Sequence, residues 1–188
     1  GQLMVLIVTS AILALGCASA SYRAVETIDM SSSEASPRLC TAQQKGERWA
    51  VVVGIDTYQD SKITPLNGAT HDAWAFYHYL SSPHGGRVAH DKRLILLNWQ
   101  ATRANLEKAF GQFLSRACPQ DTIYIYFAGH GAPEPDRASE AFLLTYDTQL
   151  DNLVGTAISM RQLPRFLSWR AGQAGRLMMF VDACHSGA

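Results

Sequence analysis

Two apolar runs in this sequence end in residues that can carry out chemistry. Residues 122–128 (Thr-Ile-Tyr-Ile-Tyr-Phe-Ala) are followed by Gly-His130-Gly, and residues 177–181 (Leu-Met-Met-Phe-Val) are followed by Asp-Ala-Cys184. Runs of this length are typical of buried strands. Open α/β sheets place their chemistry at the carboxyl ends of such strands. The pattern therefore predicts two strand ends, one with a histidine and one with a cysteine, which can act as base and nucleophile.

The residues that surround His130 and Cys184 resemble the two signatures of caspase-like cysteine peptidases. The stretches Tyr126-Phe-Ala-Gly-His130-Gly and Asp182-Ala-Cys184-His-Ser-Gly are similar to those of the metacaspase and bacterial orthocaspase branch, rather than to those of animal caspases. His130 and Cys184 lie 54 positions apart, close to the roughly 50 expected for this fold. The resemblance covers residues 47–188 and implies a hydrolase, specifically a cysteine-type endopeptidase.

The remainder of the chain alternates strand-like and helix-like segments. Residues 49–55 and 93–97 are short apolar runs, as in strands that are buried on both faces. Apolar residues recur at helical spacing over 69–80 and, after a cap at Thr102, over 106–117. This alternation predicts an α/β fold with a doubly wound, mostly parallel sheet and helices on both faces.

The segment between the two motifs is harder to assign. We expect a proline-rich loop over residues 132–140, a short strand over 141–146 and another loop over 147–155, before a helix near Pro164 and the last strand. The resemblance to caspases implies the order 2-1-3-4 for the four main strands. It also implies two further strands beyond them, so we expect the C-terminal strands of the fold to be missing from this chain.

The N-terminal segment has the pattern of an export signal. Residues 3–15 are apolar apart from two hydroxyl residues, and an Ala-Ser-Ala sequence follows at 18–20. A run of this length suits a signal peptide over residues 1–20 better than a membrane span. We therefore expect an exported protein (periplasmic, secreted or lipid-anchored) in a bacterium. A lipid on Cys17, a short membrane anchor and a buried helix remain alternatives.

Composition supports one globular domain after a polar segment. Of the 188 residues, 47% are hydrophobic, and the formal net charge is zero. This balance, without a basic run, gives no reason to expect nucleic acid as a partner. Residues 21–46 are predicted to be a polar linker, and residues 47–188 a caspase-like peptidase domain that is truncated at its C-terminal end.

Cys184 and His130 together supply what amide hydrolysis needs. A free thiol has a pKa of about 8.5, which a neighbouring imidazolium lowers, so Cys184 is the candidate nucleophile and His130 its base. The resemblance implies an oxyanion hole made by the backbone N–H groups of Gly131 and Cys184. His185 is the less suitable base, because neighbours in an extended segment point to opposite faces. A buried, unreactive Cys184 and a zinc site with Asp182 remain alternatives.

The charges near the predicted site favour a basic substrate. The resemblance implies that Asp72 and Asp182 match acidic metacaspase residues that line the pocket for the residue before the scissile bond. Leu66 stands where aspartate-cleaving caspases keep an arginine. We therefore expect cleavage after Arg or Lys in a protein or peptide substrate. Asp147 also matches an acidic position of the family and is a third candidate substrate-binding residue.

The remaining expectations concern cofactors, disulfides and a rival function. We expect no metal or other cofactor. Calcium dependence is the alternative, and it is disfavoured because the segment 155–167 contains two arginines and no acid, whereas many metacaspases bind calcium through clustered acids. Cys40 and Cys118 each precede a core strand and could form a disulfide in an oxidising compartment. The rival hypothesis is a catalytically inactive caspase-like scaffold or protein-binding module. A membrane tether would involve only the N-terminus.

Overall fold

The structure of the protein is a computed structural model that describes residues 38–134, 137–170 and 174–183. Its strands within these ranges are β1 (Arg48–Gly54), β2 (Arg93–Leu97), β3 (Thr122–Ala128), β4 (Gly131–Glu134), β5 (Arg137–Leu143), β6 (Ile158–Ser159) and β7 (Arg176–Asp182). The helices are α1 (Ala69–Ser81), α2 (Arg103–Lys108), α3 (Leu153–Thr156) and α4 (Leu163–Arg170). Short 3-10 turns occupy His90–Lys92, Asn98–Gln100, Leu114–Arg116 and Leu150–Asn152, and a π-helical turn occupies Ala109–Phe113.

The main sheet has the order β2-β1-β3-β7, and each neighbouring pair is parallel. This confirms the predicted mostly parallel α/β sheet, and it matches the predicted order 2-1-3-4 when β7 is counted as the fourth main strand. In the register, Gly54 is opposite Ala128, and Ala128 is opposite Asp182. Three adjoining strands therefore end at the same level, which brings the residues after them to one edge of the sheet.

Alternation along the strands gives the sheet two apolar faces. One face packs against α2, the turns after it, and α4; its strand residues are Trp49, Val51, Val53, Ile123, Ile125, Phe127, Leu177, Met179 and Val181. The other face packs against α1 through Ala50 and Val52 of β1. Because both faces of β1 are covered, every residue from Trp49 to Val53 is fully buried, as the unbroken apolar run predicts.

Local signals explain where two of the helices begin. The Thr102 hydroxyl accepts a hydrogen bond from Asn105 N, so it is the predicted cap of α2. Pro164 is the second residue of α4, in the first helical turn, where a backbone N–H would have no partner in the helix. The predicted helix near Pro164 therefore exists, and its start is fixed by the proline.

A second, antiparallel sheet follows β3 directly and has the order β4-β5-β6. The predicted loop over residues 132–140 is therefore wrong, because most of it belongs to the β4–β5 hairpin. The proline signal was misleading: Pro133 lies in β4, an edge strand, where one side of the backbone needs no N–H donor. The predicted loop over 147–155 is also interrupted, by the start of α3, which the Asn152 side chain caps through Gly155 N.

At the opposite end of the main sheet, the fully buried carboxylate of Asp121 holds three segments together: the chain at Arg38, the start of β1 and the chain before β3. It accepts hydrogen bonds from the backbone N–H groups of Glu47 and Cys118, at 2.7 and 2.9 Å, and from the Trp49 indole at 3.0 Å. It also pairs with the Arg38 guanidinium. Burial raises the pKa of the Asp121 carboxyl, but the donated hydrogen bonds outweigh it, so the net pKa is lowered.

A disulfide joins Cys40 to Cys118 at this same end of the sheet. It ties the chain before β1 to the chain before β3, and Gln120 adds a hydrogen bond to the Thr41 carbonyl. The predicted linker over 21–46 is therefore attached to the domain from Arg38 onward. The predicted signal peptide, with Cys17, and the rest of the linker lie outside the described residues. None of the helices in the described ranges is long and apolar enough to cross a membrane.

Asp121→Asn is expected to lower the free energy of unfolding by about 3 kcal/mol. The carboxamide has one oxygen and cannot accept all the hydrogen bonds of the carboxylate, and the ion pair with Arg38, which also pairs with Glu47, is lost. The pKa of Asp121 is lowered by folding. The stability that the ionised Asp121 contributes is therefore fully present above the pKa of the unfolded state, about 3.9. It is lost as the pH falls through the pKa of the folded state. Denaturant unfolding at neutral and acidic pH should show that the variant lacks this acid-dependent loss.

The exposed carboxylate Asp151 supplies the matched control. Asp151→Asn should leave the free energy of unfolding within about 0.5 kcal/mol of the wild type at both neutral and acidic pH. An Asp121→Asn protein with wild-type stability at neutral pH would contradict the assignment of this carboxylate as the tie between the three segments.

Candidate active site

A cavity of about 170 Å³ lies at the carboxyl ends of β3 and β7. It is lined by the end of the loop before α1, the first turn of α1 and the two strand ends; the residues are Leu66, Asn67, Gly68, Ala69, Asp72, Ala128, Gly129, His130 and Asp182. The structure thus brings together three of the predicted site residues, His130, Asp72 and Asp182. The cavity therefore lies at the edge of the sheet where β3 and β7 end at the same level.

His130 is held at both its backbone and its ring, and its residue surface is 8% exposed. Its backbone N–H donates to the Tyr58 hydroxyl at 2.8 Å, and ring atom Nε2 lies 2.8 Å from the Thr64 carbonyl oxygen. A carbonyl oxygen only accepts, so Nε2 carries the proton in this contact. In the neutral imidazole, Nδ1 is then the basic nitrogen. The loop that carries Thr64 therefore selects the tautomer of His130.

Neither Thr64 nor Tyr58 was identified from the sequence. The Thr64 contact uses a backbone carbonyl, and a backbone group has no signature in the sequence. Pro65 is the one local signal, because the residue before a proline is restricted to extended conformations, which turns the Thr64 carbonyl away from helical geometry. Tyr58 gave no signal, since an aromatic residue in a loop most often contributes to a core.

Asp56 fixes the loop before α1 and the start of that helix. Its Oδ1 accepts from the backbone N–H groups of Gly68 and Ala69, at 3.1 and 2.8 Å, and its Oδ2 accepts from Thr70 N at 3.1 Å and from the Thr70 hydroxyl. These are the N–H groups that a helix leaves unpaired at its start. Gly68 has φ +134°, which favours glycine. As a result, the first turn of α1 is anchored at the cavity, with Asp72 in its wall.

The cavity wall carries two carboxylates, Asp72 and Asp182. Burial, and then the negative charge of Asp72, raise the pKa of the Asp182 carboxyl. Burial and the same two carboxylates also raise the pKa of the neighbouring Tyr126 hydroxyl. Two like charges that raise a neighbour's pKa mark a site of negative potential, which favours a bound cation.

The structure gives Asp147 contacts within the fold that the sequence did not predict. Its Oδ1 accepts from Arg103 N at 2.8 Å and from the Thr145 hydroxyl at 2.8 Å, and it does not line the cavity. It therefore satisfies a backbone N–H at the start of α2, as capping carboxylates do. The prediction of a substrate-binding role for Asp147 is not supported by this geometry.

The other predicted residues lie beside the cavity or outside the described part of the chain. Gly131 is buried, follows His130 directly and is the first residue of β4. Cys184 and His185 lie outside the described residues. Among residues 38–134, 137–170 and 174–183, no group of three or more histidine, cysteine, aspartate or glutamate side chains is arranged to hold a metal ion. The described residues of the site therefore offer an oriented imidazole and an anionic pocket.

Comparison with known proteins gives one family. The caspase domain family matches residues 47–188. Metacaspase-1 from Saccharomyces cerevisiae is 27% identical over 160 residues, which cover 78% of this chain and 35% of that protein. Metacaspase-1 from Eremothecium gossypii is 24% identical over 164 residues, which cover 78% of this chain and 33% of that protein. The chain thus spans about a third of the length of these curated relatives.

The fold is also similar to a solved structure, the crystal structure of a protein from Geobacter sulfurreducens. The TM-score is 0.58, the sequence identity is 22%, and the match covers 76% of this chain and 52% of the other. At this identity the likeness concerns the fold, and it agrees with the mixed α/β architecture described above.

Replacing Asp72 with asparagine should lower the pKa of Asp182, because the variant removes the Coulombic repulsion and leaves burial as the only cause of the upward shift. Carboxyl ¹³C chemical shifts followed through a pH titration would measure this. Asp91→Asn, a change of an exposed carboxylate beside Lys92, serves as the control and should not alter the titration. An unchanged Asp182 titration in the Asp72 variant would mean that the two carboxylates do not share one pocket.

Proposed function

The chain belongs to the caspase domain family, and from that premise we propose that it is a cysteine endopeptidase that cleaves after arginine or lysine. The observation that carries the proposal is the register of β3 and β7, in which Ala128 is opposite Asp182. His130 follows Ala128 by two residues, and Cys184 follows Asp182 by two residues. Equal offsets from paired residues on parallel strands favour a close approach of the imidazole and the thiol.

The reaction follows from the tautomer of His130. Nδ1 takes the proton of the Cys184 thiol, and the thiolate attacks the carbonyl carbon of the substrate. The protonated imidazole then gives this proton to the leaving amine as the C–N bond breaks, which leaves an acyl group on sulfur. A water molecule, deprotonated by His130, releases the acid and restores the thiol. Throughout, the Thr64 carbonyl holds Nε2–H, so Nδ1 faces the reaction.

The backbone N–H groups of Gly131 and Cys184 are the proposed oxyanion hole. Gly131 lies three residues after the end of β3, and Cys184 lies two residues after the end of β7. In the proposed mechanism, the carbonyl oxygen of a substrate over the cavity accepts from both. Donors that are held in place before the reaction stabilise the tetrahedral oxyanion without reorganisation. No metal ion is needed for any of these steps in the proposed mechanism.

The preference for a basic residue rests on the two cavity carboxylates. A guanidinium offers five N–H donors in a planar fork and suits two carboxylates at once, and an ammonium satisfies the same charge requirement. A bound cation would also relieve the repulsion that raises the pKa of Asp182. The cavity residues Gly68, Ala69 and Ala128 are small and leave room for a long side chain. Leu66 lines the cavity, and the resemblance implies that aspartate-cleaving caspases keep an arginine at this position.

Export is the proposed location. Disulfides form and persist mainly in oxidising compartments, so the bond between Cys40 and Cys118 supports a protein that leaves the cytosol. This agrees with the signal peptide predicted over residues 1–20. A bacterial source and a lipid on Cys17 stay predictions from the sequence.

Fluorogenic peptides that end in Arg, Lys or Asp should separate the proposed function from its rival. We expect cleavage after Arg and Lys but not after Asp, with loss of at least about 10³-fold in kcat for Cys184→Ala, because the nucleophile is removed. The assay is run with and without calcium. Cleavage only after Asp would overturn the pocket assignment. Absence of any Cys184-dependent cleavage would instead favour a non-catalytic binding module.

Asp182→Asn should raise KM for the arginine peptide by about tenfold or more, because one of the two charges that face the substrate is lost. The pKa of Asp182 is raised, so its carboxyl gains a proton at a higher pH than an ordinary aspartate does. In the wild type, KM should therefore increase as the pH falls through that pKa, and in the variant this step should disappear. A variant that keeps both the wild-type KM and its pH dependence would rule out Asp182 as a substrate contact.

A further inference from the structure

The hydrogen-bond ladder between β1 and β3 changes at the residue before the site. Ile55 N donates to the Ala128 carbonyl at 3.0 Å. In a parallel ladder, the same residue would next accept at its carbonyl from the N–H two residues further on, which here belongs to His130. Instead, His130 N–H donates to the Tyr58 hydroxyl at 2.8 Å, and that hydroxyl donates to the Ile55 carbonyl at 3.4 Å. The tyrosine hydroxyl is inserted where the next backbone hydrogen bond would be.

The insertion separates the two strands on one side of β3 only. On the other side, Gly129 N still donates to the Asp182 carbonyl at 3.2 Å, so β3 stays attached to β7. The His130 ring itself contacts the loop that contains Thr64, whose carbonyl accepts from Nε2 at 2.8 Å. His130 therefore leaves the line of the sheet at the point where the Tyr58 hydroxyl replaces a direct contact with β1.

The surroundings of Tyr58 hold the hydroxyl in this position. Its ring lies 5.5 Å from the His130 ring, centroid to centroid, with 38° between the planes. Its ring also packs against the main core and against the small cluster around Ile63. A Cβ at Gly129 would lie 3.1 Å from the Tyr58 hydroxyl oxygen and 3.2 Å from the Phe127 ring, so glycine at this position leaves room for the hydroxyl.

The Tyr58 hydroxyl also keeps its proton. Burial raises the pKa of Tyr58 to about 12, although the hydrogen bond from His130 opposes this shift. A protonated hydroxyl can accept from one strand and donate to the other at the same time, which a phenolate cannot do. The bridge is therefore available at every pH at which the protein would be assayed.

We propose that Tyr58 is a positioning residue for catalysis, whose inserted hydroxyl sets the backbone and ring of His130 so that Nδ1 faces the thiol. The inference rests on the proposed function, since it takes His130 to be the base. Tyr58 touches neither substrate nor thiol in this scheme, and it acts on the rate through His130. Its effect should therefore fall on kcat rather than on the binding of the basic side chain.

Tyr58→Phe keeps the ring and removes the bridge. In the full-length protein we expect kcat for the arginine peptide to fall by about tenfold or more, because catalysis is sensitive to displacements of about 1 Å. KM should stay within about twofold, because Asp72 and Asp182 are unchanged. The pH profile of kcat/KM should also shift, which a loss of stability alone would not produce. Tyr79→Phe, which removes a hydroxyl bonded to the His84 carbonyl on the exposed side of α1, is the matched control and should leave kcat unchanged.

Gly129→Ala provides a second variant, which crowds the hydroxyl while keeping it. It should lower kcat by a smaller factor, and it should have little further effect in the Tyr58→Phe background, because the crowded atom is then absent. Thermal unfolding is measured for each variant. If Tyr58→Phe does not fold, kcat of the folded Gly129→Ala variant is used instead, and a lowered kcat supports the positioning role of Tyr58.

Alkylation of Cys184 by iodoacetamide keeps this inference separate from the proposed function. The pH dependence of the alkylation rate, with Cys184→Ala as the blank, reports the thiol and its imidazole without any substrate. If the wild type cleaves no arginine or lysine peptide, the proposed function fails, and a shifted alkylation profile in Tyr58→Phe still supports the positioning role. Wild-type kcat and a wild-type alkylation profile in folded Tyr58→Phe would overturn it.

Discussion

The site depends on the register of three parallel strands. Gly54, Ala128 and Asp182 lie side by side at the ends of β1, β3 and β7, so the residues after these strands meet at one edge of the sheet. The alternation of buried residues fixes this register, because a slip of one residue would turn the apolar set of a strand to the wrong face. The position of His130 beside Asp182 is thus a consequence of how the core packs.

The two ends of the sheet place carboxylates in opposite electrostatic surroundings. At the amino end, Asp121 receives hydrogen bonds from three N–H groups and pairs with Arg38, so its charge is compensated. At the carboxyl end, Asp182 faces a second carboxylate, and its pKa is raised. An uncompensated charge costs stability in the free protein and gains from a bound cation. The fold thus contains carboxylates that are compensated, Asp121 and Asp56, and a cavity pair that would gain from a ligand of opposite charge.

The sequence was informative where the signal lay in side-chain patterns. The buried strands, the helix over α1 and the cap at Thr102 agree with the structure, because apolar periodicity and capping chemistry determine them. The strand order, which the resemblance to caspases implied, agrees as well. The hairpin of β4 and β5 was missed, since proline was taken to exclude a strand. The capping contact of Asp147 with Arg103 N was not foreseen, because a carboxylate that caps a helix looks the same in sequence as one that binds substrate. The contacts of His130 with Thr64 and Tyr58 depend on backbone atoms and loop geometry, which no residue pattern records.

One labelling experiment can test whether the same pocket contains a cysteine nucleophile and prefers a basic residue. The full-length protein is treated with a peptidyl arginine chloromethyl ketone, and the label is located by mass spectrometry. We predict one label per chain, on Cys184, with much slower labelling by the aspartate analogue and in Asp182→Asn. Labelling on another residue, or equal labelling by the arginine and aspartate reagents, would contradict the combined pocket.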